Sequence, residues 1–325
     1  MKTINLISGN AVEKPTCLDF SGVIGQMEVR NKLDLYLTHD EEINVPTLLF
    51  TGSHGLGKTL IASKVALSLQ RRFVEVNCGS IETVDEFFSK ILIERVLGET
   101  PVSILMDEAH RLSKDITTVL LTLLDTGTKN IRTILSGDSA INYDKSKINM
   151  VFATTDAFKM FKPLLDRCKR VYFNAYSNAE LLKMLALYCP NVKITCNTED
   201  LSDACRGRGR DAYMLADDIK RYFKNTRYFT RQAAMVLTEN HWRELKNILG
   251  IFPKGLNRQE VDLLGIIENE QPISCANIAF KMMVNEENIE SEIEVRPREL
   301  GMIRSTTKGR ILTEDGKKYL AKVRR

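Results

Sequence analysis

The sequence lacks the cysteine and histidine spacings that mark metal sites and disulfide frameworks. Its seven cysteines are odd in number and include no CxxC pair, and its four histidines lie far apart. A structural zinc site needs closely spaced ligands and a disulfide framework needs paired cysteines, so the sequence suggests neither. We therefore expect a protein of the reducing cytoplasm.

Long apolar runs and a strong charge of one sign are also missing. No stretch of about eighteen apolar residues occurs, and the first six residues, MKTINL, do not resemble a signal peptide, so we expect no membrane segment. The 46 basic and 42 acidic residues leave a net charge of +4. This mild excess permits nucleic-acid binding without requiring it.

The sequence does contain enough apolar material for several folded domains. Of its 325 residues, 43% are hydrophobic and 27% are charged, as in ordinary globular proteins. Because a domain typically holds roughly 100–200 residues, this length predicts two or three domains. We place them at residues 1–175, 176–250 and 251–325.

The first region has the alternation of strands and helices that is typical of a parallel α/β sheet. The predicted strands are residues 47–51, 73–77, 102–107, 149–154 and 170–173. Between the third and fourth strands, residues 128–147 contain apolar β-formers around a Ser136-Gly137-Asp138 turn. This pattern predicts a β-hairpin that projects from the domain.

The two later regions predict helices followed by a wing. Residues 177–247 carry an apolar helical stripe with a helix start at Ser177, which predicts a small all-helical domain. In the last region, we predict helices near residues 257–269, 274–283 and 286–300, then extended segments around residues 303 and 311–313. Three helices and a two-stranded wing make a winged helix.

A glycine-rich loop between the first predicted strand and the next helix predicts a nucleotide site. Residues 52–59, GSHGLGKT, match the P-loop pattern G-x-x-x-x-G-K-[ST] in the required position. In such a loop backbone N–H groups enclose phosphates, so we expect Lys58 to act on the β- and γ-phosphates and Thr59 to bind Mg²⁺. The predicted ATP contacts are Gly52, His54, Gly55, Leu56, Gly57, Lys58, Thr59 and Leu60.

A second nucleotide motif follows at the end of the third predicted strand. The apolar run VSILM leads into Asp107 and Glu108. Strand ends in a parallel sheet point at the ligand crevice, so Asp107 would hold Mg²⁺ and Glu108 would orient the attacking water. Such a pair is usually a solvated surface feature, but the P-loop upstream favours the catalytic interpretation, and the glutamate favours hydrolysis over mere binding.

Residues 107–112, DEAHRL, closely resemble the DEIHRL segment of the RuvB family of AAA+ ATPases, the motors of branch migration at four-way DNA junctions. Further stretches resemble the family in the same order. They are 20–26 (FSGVIGQ, the N-terminal segment by the adenine), 153–155 (ATT, the sensor-1 turn), 206–210 (RGRGR, for RGTPR before the lid helix) and 306–310 (TTKGR, for RTPRGR of the wing). These matches extend over nearly the whole chain.

The resemblance implies an AAA+ P-loop NTPase domain of α/β class with a parallel sheet, a small all-helical lid domain and a C-terminal winged helix. It implies ATP and Mg²⁺ as cofactors. It places Ile24 by the adenine, makes Thr155 sensor 1 with Thr154 as the alternative, and makes Arg210 sensor 2. Threonine is also a common strand residue, and Arg210 is one of three arginines in its loop, so structural roles stay open.

Residues 163–168, PLLDRC, match PLRDRF in the family, which implies that Arg167 is an arginine finger given to a neighbouring subunit of a homo-oligomeric ring. Two positions depart from the family, because Leu165 replaces an arginine and Cys168 replaces a phenylalanine. The Arg-Cys pair also resembles the Ser-Arg-Cys motif of clamp-loader subunits. The alternative is a surface arginine paired with Asp166.

Two surfaces predict macromolecular partners. The 128–147 hairpin matches the position through which the family meets its junction-binding partner RuvA, but residues 144–147, DKSK, replace a proline-rich return, so a plain surface hairpin is an equal alternative. Ten basic residues lie between positions 296 and 325. The resemblance implies DNA contacts by Arg304, Lys308 and Arg310, to phosphates rather than bases, and the alternative is a solvated basic face.

The sequence therefore predicts a ring-forming ATPase of helicase type that moves along duplex or branched DNA, as branch migration in recombination and repair requires. Two rival functions stay open. A clamp-loader-type switch is favoured by the Arg167-Cys168 pair, whereas an ATP-gated DNA-binding initiator or regulator is disfavoured by Glu108.

Overall fold

A computed structural model describes residues 2–5, 17–38, 45–96, 100–124, 131–136, 139–225 and 235–324. The chain forms two compact units, Met1–Tyr176 and Ser177–Arg325. No helix within the described ranges is long and apolar enough to cross a membrane. The three-domain division stays a prediction.

Eight strands are described in the first unit. They are β1 (Lys2–Asn5), β2 (Leu48–Thr51), β3 (Arg72–Asn77), β4 (Val102–Asp107), β5 (Ile131–Ser136), β6 (Ser139–Asp144), β7 (Ile148–Thr154) and β8 (Lys169–Tyr172). Five of them form a parallel sheet in the order β3-β4-β7-β2-β8. The predicted parallel sheet is confirmed, and each predicted strand end lies within one residue of the observed one.

The central strands form because their residues are apolar without alternation. In β4 every residue from Val102 to Met106 is buried, and β7 is buried from Asn149 onward. Such continuous runs suit parallel strands that are covered on both faces. Since all five strands run the same way, the ends of β2, β4 and β7 meet at one edge of the sheet, which positions the site.

The helices of the first unit follow the strands. They are α1 (Met27–Thr38), α2 (Lys58–Ser68), α3 (Val84–Glu86, continued by a π-helix over Phe87–Val96), α4 (Lys114–Leu123) and α5 (Lys162–Leu165). The start of α4 is set by Ser113, whose hydroxyl accepts a hydrogen bond from the Ile116 N–H at 3.3 Å.

The predicted hairpin is confirmed as the antiparallel pair β5 and β6, in which Ser136 pairs with Ser139. Of the predicted turn, Gly137 and Asp138 lie outside the described residues. A third strand, β1, pairs in parallel with β6. This last pairing was not predicted.

The second unit begins with a helical region. Its elements are α6 (Asn178–Tyr188), β9 (Val192–Ile194), α7 (Thr198–Ala204), α8 (Gly209–Asn225), β10 (Met235–Leu237) and α9 (Glu239–Leu249). Ser177 starts α6 through a capping box with Glu180, as its position predicted. The region is helical with one addition, because β9 and β10 form a short parallel pair.

The winged helix follows within the same unit. Its elements are α10 (Arg258–Glu270), α11 (Cys275–Met282), a third helix made of α12 (Glu286–Asn288), a π-helical turn (Ile289–Ile293) and α13 (Val295–Glu299), then β11 (Ile303–Thr306), β12 (Gly309–Leu312) and α14 (Glu314–Val323). The wing strands β11 and β12 pair antiparallel. The predicted three helices and wing are confirmed, and α14 is an addition.

Close packing joins the helical region to the winged helix. Gly255 has a φ of +73°, and a Cβ on it would lie 2.3 Å from the Asp203 carbonyl oxygen. Arg206, before α8, pairs with Glu260 of α10, whose side chain is 1% exposed. Only glycine permits that approach of two backbones, and the buried ion pair makes separation of the two parts costly.

Candidate functional site

The P-loop is held in shape by its own backbone and by two neighbouring side chains. Gly57 caps α2 with a φ of +89°, which favours glycine, and a Cβ there would lie 2.9 Å from the Tyr176 hydroxyl oxygen. That hydroxyl donates a hydrogen bond to the Leu56 carbonyl oxygen at 2.8 Å. Gln26 also approaches the Leu56 carbonyl, at 3.5 Å, and donates to the Asn174 carbonyl at 2.7 Å.

Gln26 therefore links the P-loop to the segment that contains Ile24. The sequence match included Gln26, but only Ile24 was assigned to the nucleotide. In the structure Ile24 is half-buried two residues before Gln26. The signal for Gln26 was its place in the matched segment, and the structure adds that it connects two loops far apart in sequence.

Lys58 begins α2 and points back into the loop. Its side chain is 8% exposed, and its Nζ donates to the carbonyl oxygens of Gly52 at 2.6 Å and Ser53 at 2.9 Å. Thr59 follows it in the first turn of α2. A lysine held inside a glycine-rich loop at a helix N-terminus fits a triphosphate, because phosphate oxygens accept from both the ammonium and the loop N–H groups.

Asp107 and Glu108 lie at the end of β4, on the same edge of the sheet. The Asp107 carboxylate accepts a hydrogen bond from the Glu108 N–H at 3.0 Å. Glu108 has a φ of +55°, a backbone conformation that is uncommon outside glycine and clusters at functional sites. Burial, with repulsion from the Asp107 and Glu108 charges, raises the pKa of the nearby Cys78 thiol far above its usual range.

Two histidines approach the Glu108 carboxylate. His110 Nε2 lies 3.4 Å from Oε2, and His54 Nδ1 lies 3.7 Å from Oε1. The side chain of His110 is 14% exposed and that of His54 is 64% exposed. His54 was predicted as a P-loop residue, whereas His110 was quoted in the DEAHRL motif but given no role.

The predicted sensor-1 position lies at the end of β7. Thr154 is fully buried, and its Oγ1 lies 2.9 Å from His110 Nδ1. Thr155 is the next residue and is half-buried, and its side chain makes no hydrogen bond among the described residues. Thr154, the alternative sensor-1 residue, thus contacts His110, whose ring lies beside Glu108. The assignment of sensor 1 stays a prediction.

Mg²⁺ needs only a small contribution from the protein at such a site. The described residues contain no group of three or more His, Cys, Asp or Glu side chains that could hold a metal ion by themselves. Mg²⁺ in nucleotide sites usually keeps waters and binds one or two protein oxygens together with the phosphates. The oxygen donors of Thr59 and Asp107 fit that chemistry.

Arg167 lies just after α5 and is exposed. Its Nη1 donates to the Pro163 carbonyl oxygen at 3.1 Å, and within the described residues it makes no ion pair with Asp166. The ion pair with Asp166, which was the alternative to a finger role for Arg167, is therefore not formed. Next to it, burial raises the pKa of the Cys168 thiol to about 12, and this thiol donates to the Leu164 carbonyl oxygen, so Cys168 serves in packing.

Arg210 lies in the second compact unit, at the second residue of α8, and is exposed. Arg206, one of the two other arginines of this loop, is occupied by Glu260. Arg210 makes no ion pair among the described residues, so its guanidinium is available to a ligand. Its assignment as sensor 2 stays a prediction.

Arg310 does not have the environment that its predicted DNA contact requires. Its side chain is 13% exposed and binds Glu294 through Nε at 3.2 Å and Glu290 through Nη2 at 2.7 Å. The hydrogen bonds to Glu294, which is fully buried, raise the pKa of the guanidinium. These carboxylates compete with a phosphate for Arg310, so the geometry favours a structural role and counts against the predicted contact.

The other two predicted DNA contacts have open side chains. Arg304 in β11 and Lys308 in the wing turn are exposed, and neither makes an ion pair among the described residues. Unlike these two wing residues, the arginines of the third helix are paired with carboxylates. Arg296 pairs with Glu299 and Arg298 pairs with Glu294. The exposed surface of this helix also carries Glu286, Glu287, Glu290 and Glu292.

Comparison with known proteins finds family models that match two separate regions of the chain. A model of the AAA family, the ATPase family associated with various cellular activities, matches residues 48–176. A model of the RuvB C-terminal winged helix domain matches residues 253–321.

Curated relatives and solved structures extend the match to most of the chain. The Holliday junction branch migration complex subunit RuvB of Mycoplasma genitalium is 24% identical, over 93% of this chain and 96% of its own length. The same subunit of Campylobacter jejuni subsp. doylei is 28% identical, over 90% and 87%. The Thermotoga maritima RuvB Holliday junction branch migration motor has the same fold, with a TM-score of 0.74 at 21% identity over 95% of this chain and 98% of that chain.

Proposed function

Because the chain belongs to the RuvB-like AAA ATPases, we propose that it uses ATP hydrolysis to drive branch migration of four-way DNA junctions as a homo-oligomeric ring. One observation carries the proposal. Matches to the AAA family and to the RuvB C-terminal winged helix occur in one chain, and a curated RuvB subunit aligns with 93% of that chain.

In this proposal the residues at the sheet edge divide the work on ATP. The P-loop N–H groups and Lys58 bind the phosphates, and Glu108 orients the attacking water. Thr59 and Asp107 hold Mg²⁺, which neutralises charge on the phosphates when bound. Their placement at the ends of β2 and β4 supports these roles, since both strands end at one edge.

Further residues complete the proposed site. Ile24 contacts the adenine, Thr155 or Thr154 senses the γ-phosphate, and Arg210 acts as sensor 2. Arg167 acts on ATP bound by the neighbouring subunit, for which its exposure and its lack of an ion pair with Asp166 are the support. A finger of this kind stabilises charge on the transferred phosphoryl group.

DNA binding in the proposal is carried by the wing. Arg304 and Lys308 bind phosphates, whereas Arg310 holds the wing to the third helix. The acidic surface of the third helix disfavours its approach to a DNA backbone, since like charges repel. The β5–β6 hairpin is the proposed docking site for a RuvA-like junction-binding protein.

The test is ATP-driven dissociation of a synthetic four-way junction, with and without a RuvA-type protein. The proposal expects the wild-type chain to convert the junction into forked duplexes in the presence of ATP and Mg²⁺. The Glu108→Gln variant should bind the junction and leave it intact. If ATP hydrolysis releases the protein from DNA but the junction stays intact both with and without the RuvA-type protein, the chain is a clamp-loader-type switch. Binding to DNA without ATP turnover would indicate a regulator.

A further inference from the structure

His110 is the residue at the nucleotide site whose contacts are not explained by the roles assigned so far. It lies in a short 3₁₀ turn, Ala109–Arg111, directly after the two carboxylates. Its ring touches Glu108 on one side and Thr154 on the other, so it joins the end of β4 to the end of β7. These two strands carry the proposed general base and the proposed sensor.

A neighbouring donor limits how Thr154 and His110 can share a proton. The Asp156 N–H donates to Thr154 Oγ1 at 3.0 Å. One arrangement that completes these contacts directs the Thr154 hydroxyl proton to His110 Nδ1, which lies 2.9 Å away. A neutral imidazole that accepts at Nδ1 carries its proton on Nε2, and Nε2 faces Glu108 Oε2 at 3.4 Å.

We propose that His110 is a positioning residue that holds the Glu108 carboxylate by donating its Nε2–H, in the tautomer selected by the Thr154 hydroxyl. The inference rests on the role of Glu108 in the proposed function. His110 touches no nucleotide atom in this proposal and acts only through Glu108. His54 does not duplicate it, because its mostly exposed ring lies farther from the carboxylate and has no second partner within the described part of the chain.

The physical reason for such a residue is the flexibility of glutamate. A Glu side chain has three rotatable bonds, and a general base acts only within hydrogen-bond reach of the water that it activates. A donor in the turn Ala109–Arg111, whose ring also contacts the buried Thr154, restricts the carboxylate to one orientation. Misplacement of a catalytic group by about 1 Å can cost on the order of 10² in rate.

Two substitutions of His110 separate its contact with Thr154 from its proposed hydrogen bond to Glu108. In His110→Asn the amide occupies the place of Nδ1, which keeps the bond to Thr154 and removes the donor to Glu108. In His110→Gln the longer amide reaches the place of Nε2 and keeps a donor toward Glu108. We expect kcat for ATP, measured without DNA, to fall by roughly 10²-fold in His110→Asn and by less than about tenfold in His110→Gln.

Three further measurements distinguish positioning from a structural role. Affinity for a non-hydrolysed ATP analogue should stay unchanged in both variants, because the P-loop contacts are intact. In a Glu108→Gln background, His110→Asn should cost nothing further in single-turnover hydrolysis. Thr154→Val should lower kcat through loss of the tautomer and should cost nothing further in single-turnover hydrolysis in the Glu108→Gln background, whereas a Thr154 that contacts the γ-phosphate itself would cost activity there too.

The proposal is overturned by wild-type kcat in His110→Asn, by equal losses in the Asn and Gln variants, or by additive losses with Glu108→Gln. If the His110 variants unfold, Thr154→Val in the Glu108→Gln background decides the matter, because an additional loss there would show that Thr154 does not act through Glu108. The readout is independent of junction migration. A wild-type chain that hydrolyses ATP without moving junctions would refute the motor and leave the His110 test valid, whereas normal turnover in Glu108→Gln would refute the role of Glu108 and this inference together.

Discussion

The nucleotide site and the wing both contain a cation that is turned inward, but their partners differ. Lys58 donates to two backbone carbonyl oxygens of its own loop. Arg310 binds two carboxylates, one of which belongs to the fully buried Glu294. A phosphate easily outcompetes a neutral carbonyl for an ammonium group, whereas moving Arg310 away removes charged hydrogen bonds from a buried carboxylate.

This difference shows which cations a ligand can recruit. A triphosphate strengthens interactions that the P-loop offers, because its oxygens accept hydrogen bonds from the Lys58 ammonium and the loop N–H groups. A DNA phosphate would have to displace Glu294 and Glu290 from Arg310. The wing is therefore left with the exposed Arg304 and Lys308 for its ligand, and the predictions below test this division from the strongest expected effect to the weakest.

Removing the arginine finger should give the largest effect at the nucleotide site. Arg167→Ala should bind ATP and hydrolyse it roughly 10³–10⁵-fold more slowly, because the transferred phosphoryl group loses a cation supplied by the neighbour. The measurement is steady-state ATPase of assembled protein. Mixing Arg167→Ala with Lys58→Ala should restore part of the activity, since a Lys58→Ala subunit still lends its arginine to an intact P-loop.

Zero activity at every mixing ratio, despite proven mixed assembly, would reject a shared site. Arg167 would then be an exposed arginine without a role in the neighbouring subunit's site. A titration of one variant into the other at fixed total protein provides the necessary series.

Glu108→Gln should slow hydrolysis by about 10²–10⁴-fold while ATP affinity stays intact, because the water loses its base and the phosphate contacts remain. Lys58→Ala is the matched control, and it should lose affinity itself. Titration with a fluorescent ATP analogue, together with single-turnover hydrolysis, separates the two effects. Equal loss of affinity in both variants would place Glu108 among the binding groups.

At the wing, Arg310→Ala should destabilise the second unit by about 2 kcal/mol, since it removes charged hydrogen bonds from the buried Glu294, which keeps Arg298 as a partner. Urea unfolding followed by the fluorescence of Trp242 measures this directly, because the chain has one tryptophan and it is buried in that unit. Arg304→Ala, on the neighbouring strand but exposed, should change stability by less than about 0.5 kcal/mol. Equal stability of the two variants would restore Arg310 as a candidate DNA contact.

The weakest effect should come from the exposed wing cations. Arg304→Ala and Lys308→Ala should each weaken DNA binding similarly on unrelated sequences and reduce the slope of log affinity against log salt by about 1, as loss of one phosphate contact does. Lys281→Ala is a suitable control, because Lys281 is already paired with Glu270 at 2.6 Å. A loss confined to one DNA sequence would point to base readout.

Sequence patterns predicted those parts of the site that depend on the backbone. The P-loop glycines, the strand that leads to Asp107 and the order of strands and helices follow from local composition, and all five central strands were found within one residue of the observed bounds. The hairpin and the wing were also predicted, because turn residues and alternation are local signals. The pairing of β1 with β6 was not, since it joins the beginning of the chain to a hairpin more than a hundred residues later.

Side-chain partners were predicted less well than backbone elements. The basic cluster after residue 296 was read as one surface, yet Arg296, Arg298 and Arg310 face glutamates whereas Arg304 and Lys308 are open. The acidic residues of the third helix were visible in the sequence. Which arginine each of them binds depended on packing around Glu294, and that packing has no local signature.

By itself the sequence determined that a parallel sheet carries a P-loop and two carboxylates at one edge, because strand periodicity, glycine spacing and the common direction of parallel strands are sufficient for this. Only the tertiary structure decided that His110 meets Thr154, 44 residues away, that Arg206 meets Glu260, 54 residues away, and that Arg310 turns toward Glu294. Burial removes water as a competing partner, so a buried polar group must bind whatever the fold brings within reach, and that neighbour is set by the whole chain.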